Sequence, residues 1–270
     1  MKSETYSIVV AVKEEEDNII PFVEKIYECL FENAQDEHKP EKLLFVDGGS
    51  NDNTLKQIQT AASLFYKKRL LIEYIVEEKT RGTVAAQIVG ARYCDSDFVV
   101  VMDGDLQHDP ALIPEMVLAS NNNSLVIASR RVEGGSNELS FFRQLVSSTA
   151  RILVRVSIPR LMNCSDPLSG YFMIRRKMIA DLKPYDGFFK LLFYVLARYP
   201  DIDKTEIPFI IGKRVKGYSK LTKKLSKLIF RYVTEVLVYR YVANIASTKV
   251  TLTFPYKLLM KIYNKVEWQE

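Results

Sequence analysis

Two aspartates, Asp103 and Asp105, stand on alternate residues in the run FVVVMDGDLQHDP, directly after a stretch of apolar residues. Carboxylates with this spacing at the end of a buried strand can divide two tasks, one holding a divalent cation and the other orienting a sugar or ribose, and Gln107 adds a hard oxygen donor nearby. Mg²⁺ or Mn²⁺ suits such a set, because these ions combine a few carboxylates with waters and substrate phosphates. The ion would offset charge building on a leaving diphosphate. Gly104, between the acids, permits a tight turn and close approach of a ligand. The same residues also fit a loop of solvated acids in which Asp109 caps the next helix.

A second polar cluster follows another apolar run in KLLFVDGGSNDNT. Asp47 is placed to accept hydrogen bonds from a base or ribose, while Asp52 is better suited to capping the helix that begins there. Glu15 follows the first apolar run and can reach the same pocket, or serve as an acidic residue of a first helical turn. Arg130 stands directly after a strand in SRRVEGG, and Arg214 and Lys220 lie in the glycine-containing run GKRVKGYSK. Guanidinium and ammonium groups suit phosphate, and such a loop can close over it; the alternative is a solvated charged face.

The elements that must carry these residues alternate along the first half of the chain. Short apolar runs predict strands at 6–12, 42–46, 71–76, 97–102 and 125–128, and amphipathic segments predict helices near 17–32, 52–66, 84–94 and 110–120. The strands are apolar almost throughout, as in a parallel sheet covered by helices on both faces. This is a doubly wound α/β core, in which ligands bind beyond the carboxyl ends of the strands. A helix at 141–157, the loop NCSDPLSG, a strand in YFMIR and a helix near 188–198 follow, then a basic helical tail. The expected organisation is one domain over 1–218 and an appendage over 219–270.

With 270 residues, 47% hydrophobic and 26% charged, the chain can bury a full core. A net charge of +5 points to polyanionic partners, which include phosphorylated ligands and anionic membrane surfaces. Cys29, Cys94 and Cys164 are too few and too dispersed for a disulfide framework or a CxxC zinc site, and a reducing compartment is expected. The amino-terminal segment lacks the pattern of a secretory signal, and the most apolar stretch, near 225–248, is broken by Lys227, Arg231, Glu235 and Arg240. No transmembrane helix is expected. From Leu221 to Tyr239 apolar residues at helical spacing oppose Lys223, Lys224, Lys227 and Arg231, a pattern for lying on an anionic membrane or docking on the core or a partner.

Taken in order, Glu15, DGGSNDNT, DGDLQHDP, SRRVEGG, DPLSGYF and RVKGYSKL resemble the family-2 glycosyltransferases of the GT-A fold, and within them the polyprenol-phosphate (dolichol-phosphate) sugar synthases. The resemblance covers about residues 5 to 222. DGDLQHDP is similar to that family's DADLQHPP, Asp166, Pro167, Ser169 and Gly170 match DPxSG, and Arg214, Gly217, Ser219 and Lys220 match RxxGxSK. It implies sugar-nucleotide contacts from Ala11, Lys13, Glu15, Val46, Asp47, Asp103, Gly104, Asp105, Arg130, Arg214 and Lys220. It further implies a metal on Asp105 and Gln107, and catalytic roles for Asp103, Asp105, Asp166 and Arg130.

The implied reaction is inverting transfer of mannose or glucose from a GDP- or UDP-sugar to a polyprenyl or dolichyl monophosphate, on the cytoplasmic face of a membrane. A membrane-anchoring partner subunit is an expected partner and nucleic acid is not. An acceptor phosphate is already anionic, so Asp166 need not act as a base. Three positions depart from the family pattern: Lys13 replaces an aromatic residue, Gly48 an acid, and Gly82-Thr83-Val84 a Gly-Leu-Gly turn. Two other readings fit the same residues, a transferase acting on a sugar hydroxyl and a non-catalytic subunit that binds a nucleotide sugar.

Overall fold

Runs of Val, Ile, Leu and Phe leave strands β1 (Tyr6–Val12), β2 (Leu43–Asp47), β4 (Phe98–Val101) and β5 (Leu125–Ser129) buried almost throughout, whereas β3 (Ile72–Val76), at the sheet edge, carries Glu73 and is partly exposed. The structure, a computed structural model, describes residues 4–32, 39–77, 82–137, 163–182 and 190–212. Each of these strands lies within one residue of its expected bounds. Alternation sorts their side chains to two cores. Val9, Leu44, Val46, Val99 and Val101 face one cluster, and Ile8, Val10, Leu43, Phe45 and Val100 face the other.

Helices cover both faces. On one side lie α1 (Ile19–Tyr27), which runs into a π-helical turn (Glu28–Glu32), α2 (Thr54–Tyr66) and α4 (Ile113–Ser120). On the other lies α3 (Thr83–Arg92). The single helix expected over 110–120 divides into a 3₁₀ turn (Pro110–Leu112) and α4, because Pro114 has no N–H to bond back to Pro110.

The remaining strands are β6 (Ser136–Asn137), β7 (Phe172–Arg175), β8 (Lys204–Pro208) and β9 (Ile210–Ile211), with α5 (Arg176–Ala180) and α6 (Leu191–Arg198) between β7 and β8. β8 was not legible as a strand, since its Lys, Thr and Glu carry no apolar signal. The seven-stranded sheet has the order β3-β2-β1-β4-β7-β5-β8, and β6 pairs with β9 separately. Among the described strands of this sheet β7 alone runs antiparallel, pairing with β4 on one side and β5 on the other. This is the mostly parallel α/β sheet that the apolar runs predict.

Among the described residues no helix is long and apolar enough to cross a membrane. The helix expected at 141–157, the basic run 213–220 with Arg214 and Lys220, and the tail at 219–270 lie outside the described residues.

Gly90 sets how closely α3 approaches the sheet. A Cβ there would meet Val9 Cγ1 at 2.5 Å and Val46 Cγ2 at 2.9 Å. Gly90→Ala is expected to lower stability by about 1–3 kcal/mol, measured as an earlier midpoint in urea or thermal unfolding.

Candidate active site

The carboxyl ends of β1 and β2 are held by a lattice of side-chain acceptors. Three consecutive amides of the loop after β1 donate across to the loop after β2: Glu14 N–H to Ser50 Oγ (2.9 Å), Glu15 N–H to Thr54 Oγ1 (2.8 Å) and Glu16 N–H to Asp52 Oδ2 (3.3 Å). Glu16 returns the bond by accepting from Asn53 N–H at 2.9 Å. Asp47, almost wholly buried, accepts from the Ser50 N–H (3.0 Å) and hydroxyl (2.6 Å) through Oδ1. Asn53, not Asp52, is the N-cap of α2; Asp52, one residue earlier, accepts from the Thr54 N–H at 3.0 Å. Glu15 accepts from Asn18 Nδ2 at 2.6 Å and closes the turn into α1. The lattice brings Glu15 and Asp47 to one edge, beside Lys13, whose Cδ lies 3.8 Å from where a Cβ on Gly48 would stand. Ala11 and Val46 pair in register across β1 and β2, and the Val46 side chain is fully buried in the core.

The turn after β4 carries Asp103, Gly104, Asp105 and Gln107. Asp105 is buried, and its Oδ1 accepts the Gln107 N–H at 3.1 Å, whereas the Asp103 side chain is 44% exposed. Gly104 packs closely against β1. A Cβ there would point at Val10 Cγ1 (3.1 Å) and Val12 Cγ1 (3.5 Å), so its smallness serves packing against β1. The left-handed conformation in the turn is taken by Leu106 (φ 63°), a strained choice of the kind found at functional turns. Gln107 is pinned on its far side: its Nε2 donates to Gly212 O and Gly212 N–H returns a bond to Gln107 O, both at 3.1 Å.

His108, one of two histidines in the chain, fixes the other side of the turn. Its Nδ1 accepts the Asp103 N–H at 2.9 Å, which assigns the proton to Nε2, 3.9 Å from Asp103 Oδ2. The ring stacks on Tyr171 (5.0 Å between centroids) and meets the edge of Phe209 (5.6 Å), while Tyr171 OH donates to Asp109 O at 3.0 Å. Burial lowers the His108 pKa, against the opposing pull of Asp103 and Asp105, with Lys190 and Arg130 adding to the lowering. Asp109 caps the following turn by accepting Ala111 N–H at 3.1 Å, as its sequence position suggested.

Arg130 and Asp166, read separately as ligands for substrate, bond to each other. Arg130 Nε donates to Asp166 Oδ2 at 2.7 Å and Nη2 to Oδ1 at 2.9 Å, with the backbone N–H adding a bond to Oδ2 at 3.3 Å. The Asp166 side chain is 4% exposed and that of Arg130 14%. Glu206 of β8 holds the same loop by accepting Ser165 N–H (2.6 Å) and Asp166 N–H (3.2 Å). Ser169 Oγ donates to Ala128 O at 2.8 Å and fastens the loop to β5.

Among the described residues there is no group of three or more His, Cys, Asp and Glu able to hold a metal by themselves. Asp105 and Gln107 carry hard oxygen donors of the kind an Mg²⁺ or Mn²⁺ ion takes, with substrate phosphates and waters completing its shell.

Residues 7–183 match the model of Glycosyl transferase family 2. The chain belongs to this family. Within it, the chain is 33% identical to a dolichol-phosphate mannosyltransferase of Pyrococcus furiosus over 197 residues, which are 72% of this chain and 54% of that protein. It is 28% identical to the dolichol-phosphate mannosyltransferase of Saccharomyces cerevisiae, over 88% of this chain and 89% of that one. The chain thus spans about half the archaeal relative's length and most of the yeast relative's. Among solved structures, glucosyl-3-phosphoglycerate synthase of Mycobacterium tuberculosis, crystallised with Mn²⁺, UDP-glucose and phosphoglyceric acid, aligns with a TM-score of 0.64 at 19% identity, over 88% of this chain and 80% of that one. That likeness establishes the fold.

The sequence reading missed three residues of this family-2 site. His108 was visible inside DGDLQHDP, but its partner Tyr171 is 63 positions away, and neither Glu206 nor Lys190 stands in a motif. Removing the Asp166 carboxylate leaves a mostly buried guanidinium without its counter-charge. Asp166→Ala is expected to cost about 3 kcal/mol, while Asp166→Leu with Arg130→Met recovers most of the loss in denaturant unfolding. The unfolded chain takes up a His108 proton near pH 6.5 that the folded chain resists. In chelator, stability should therefore fall as pH drops below about 6.5, and His108→Gln should flatten that limb in thermal melts at pH 7 to 5.

Proposed function

We propose that this chain transfers a hexosyl group, with inversion, from a nucleoside-diphosphate sugar to a polyprenyl or dolichyl monophosphate. The Arg130–Asp166 pair carries this reading. Both carboxylate oxygens of the 166–170 loop are engaged by one guanidinium, so this acid is not held ready to take a proton from an acceptor hydroxyl. A phosphate monoester needs no such base. One of its oxygens forms the new bond to the anomeric carbon as the bond to the nucleoside diphosphate breaks, and the electron pair leaves on the diphosphate oxygen.

Asp105 and Gln107 would hold Mg²⁺ or Mn²⁺, and the bound ion supplies charge neutralisation on the leaving diphosphate. Asp103, half exposed beside Asp105, orients the donor sugar. Glu15, Asp47 and the main chain near Ala11 and Val46 form the wall for the nucleoside, with Lys13 over Gly48 as this chain's own feature. Arg130, Arg214 and Lys220 are the proposed phosphate ligands of the basic side. The names of the archaeal and yeast relatives support the lipid phosphate acceptor and favour mannose as the sugar. A lipid acceptor brings the chain to a membrane surface as a peripheral protein.

The deciding experiment incubates the chain with GDP-mannose, GDP-glucose, UDP-glucose or UDP-mannose, Mg²⁺ or Mn²⁺, and polyprenyl monophosphate in detergent micelles. A polyprenyl-phosphate hexose with inverted anomeric configuration is expected. Transfer only to free sugar hydroxyls, or donor binding without turnover on any acceptor, overturns the proposal. Asp105→Ala is expected to reduce metal-dependent turnover by about 10²-fold or more with an unchanged circular dichroism spectrum.

A further inference from the structure

The space above Gly170 is where three charged or polar side chains converge. A Cβ on Gly170 would stand 3.3 Å from His108 Cε1, 3.5 Å from Asp103 Oδ2 and 3.5 Å from Lys190 Nζ. Lys190 precedes α6 and belongs to none of the motifs that mark the site. It approaches the turn after β4 from the second half of the chain, on the side where Asp103 and His108 meet Gly170. Gln107 meets Gly212 instead.

From this arrangement we infer that Lys190 binds the phosphate monoester of the acceptor over Gly170. The inference rests on the proposed transfer to a lipid phosphate. In an inverting displacement the nucleophile approaches the anomeric carbon opposite the leaving group. If the leaving diphosphate is held with the cation at Asp105 and Gln107, the incoming phosphate belongs on the Asp103–His108 side. An anion arriving there meets the negative field of Asp103 and Asp105 and requires a positive group beside it. Lys190 Nζ supplies such a group, 3.5 Å from where a Cβ on Gly170 would stand. An ammonium on a flexible stem can follow a phosphate, and Gly170 leaves the room it needs.

Steady-state kinetics with a short-chain polyprenyl monophosphate and a saturating donor test the inference. Loss of one charge-assisted hydrogen bond in Lys190→Met should raise the acceptor KM about 10- to 100-fold, with the donor KM changed less than about twofold. Lys190→Arg should recover part of the acceptor KM, and Gly170→Ala, which fills the cradle, should raise it again. An acceptor KM unchanged in Lys190→Met, or a rise confined to the donor KM, overturns the assignment; the second result would place the donor diphosphate there. Should Lys190→Met not fold, Gly170→Ala and Lys190→Arg carry the test, and unaltered acceptor KM values in both refute it. A wild-type chain inactive on polyprenyl phosphate overturns the proposed function itself, a result distinct from an active wild type whose Lys190 variants keep their acceptor KM.

Discussion

Phe172 pairs in register with Val101 on one side and Ile127 on the other, and runs antiparallel to both. A strand inserted this way begins where its neighbours end. The segment that precedes β7, residues 166–171, is therefore delivered to the same edge as the turn after β4 and the residues after β5. A parallel strand in that place would begin at the opposite edge and carry Asp166 and Gly170 away from Asp103 and Arg130. The meeting of the acidic turn, the Arg130–Asp166 pair and the cradle over Gly170 thus depends on the direction of one four-residue strand.

Three aromatic rings hold this edge together. His108, Tyr171 and Phe209 come from the turn after β4, the start of β7 and the segment between β8 and β9, and they pack as a buried cluster with centroids 5.0 to 5.6 Å apart. A neutral imidazole suits this position better than a charged one, because apolar walls penalise the proton while Nδ1 accepts from Asp103 N–H. The cluster ties the main chain of Asp103 to β7. Arg130 and Asp166 tie β5 to the same loop by charge, and Glu206 ties it to β8 through main-chain amides.

Much of this was written plainly in the residues. Apolar runs located β1 to β5 to within a residue but not β8, and the acids after β4 stood where such a sheet binds ligands. What escaped notice depends on contacts between distant segments. Arg130 and Asp166 each have a chemistry that suits substrate, and only the insertion of β7 brings them against each other. Gly104 lies between two acids, and that spacing does not tell which way a Cβ on it would point. The orientation of a residue just beyond a strand is set by packing against β1, which periodicity does not encode. Lys190 had no local signal, since only the fold brings it to the space beside Gly170 and Asp103.

The lattice between the loops after β1 and β2 is built from the amides of residues 14 to 16 and the side chains of residues 50 to 54. Lys13 and Gly48 contribute no side chain to those three rungs, and the Gly48 N–H adds a main-chain bond to Val12 O at 3.0 Å. The two loops are fastened main chain to side chain, so a displacement of one carries the other with it.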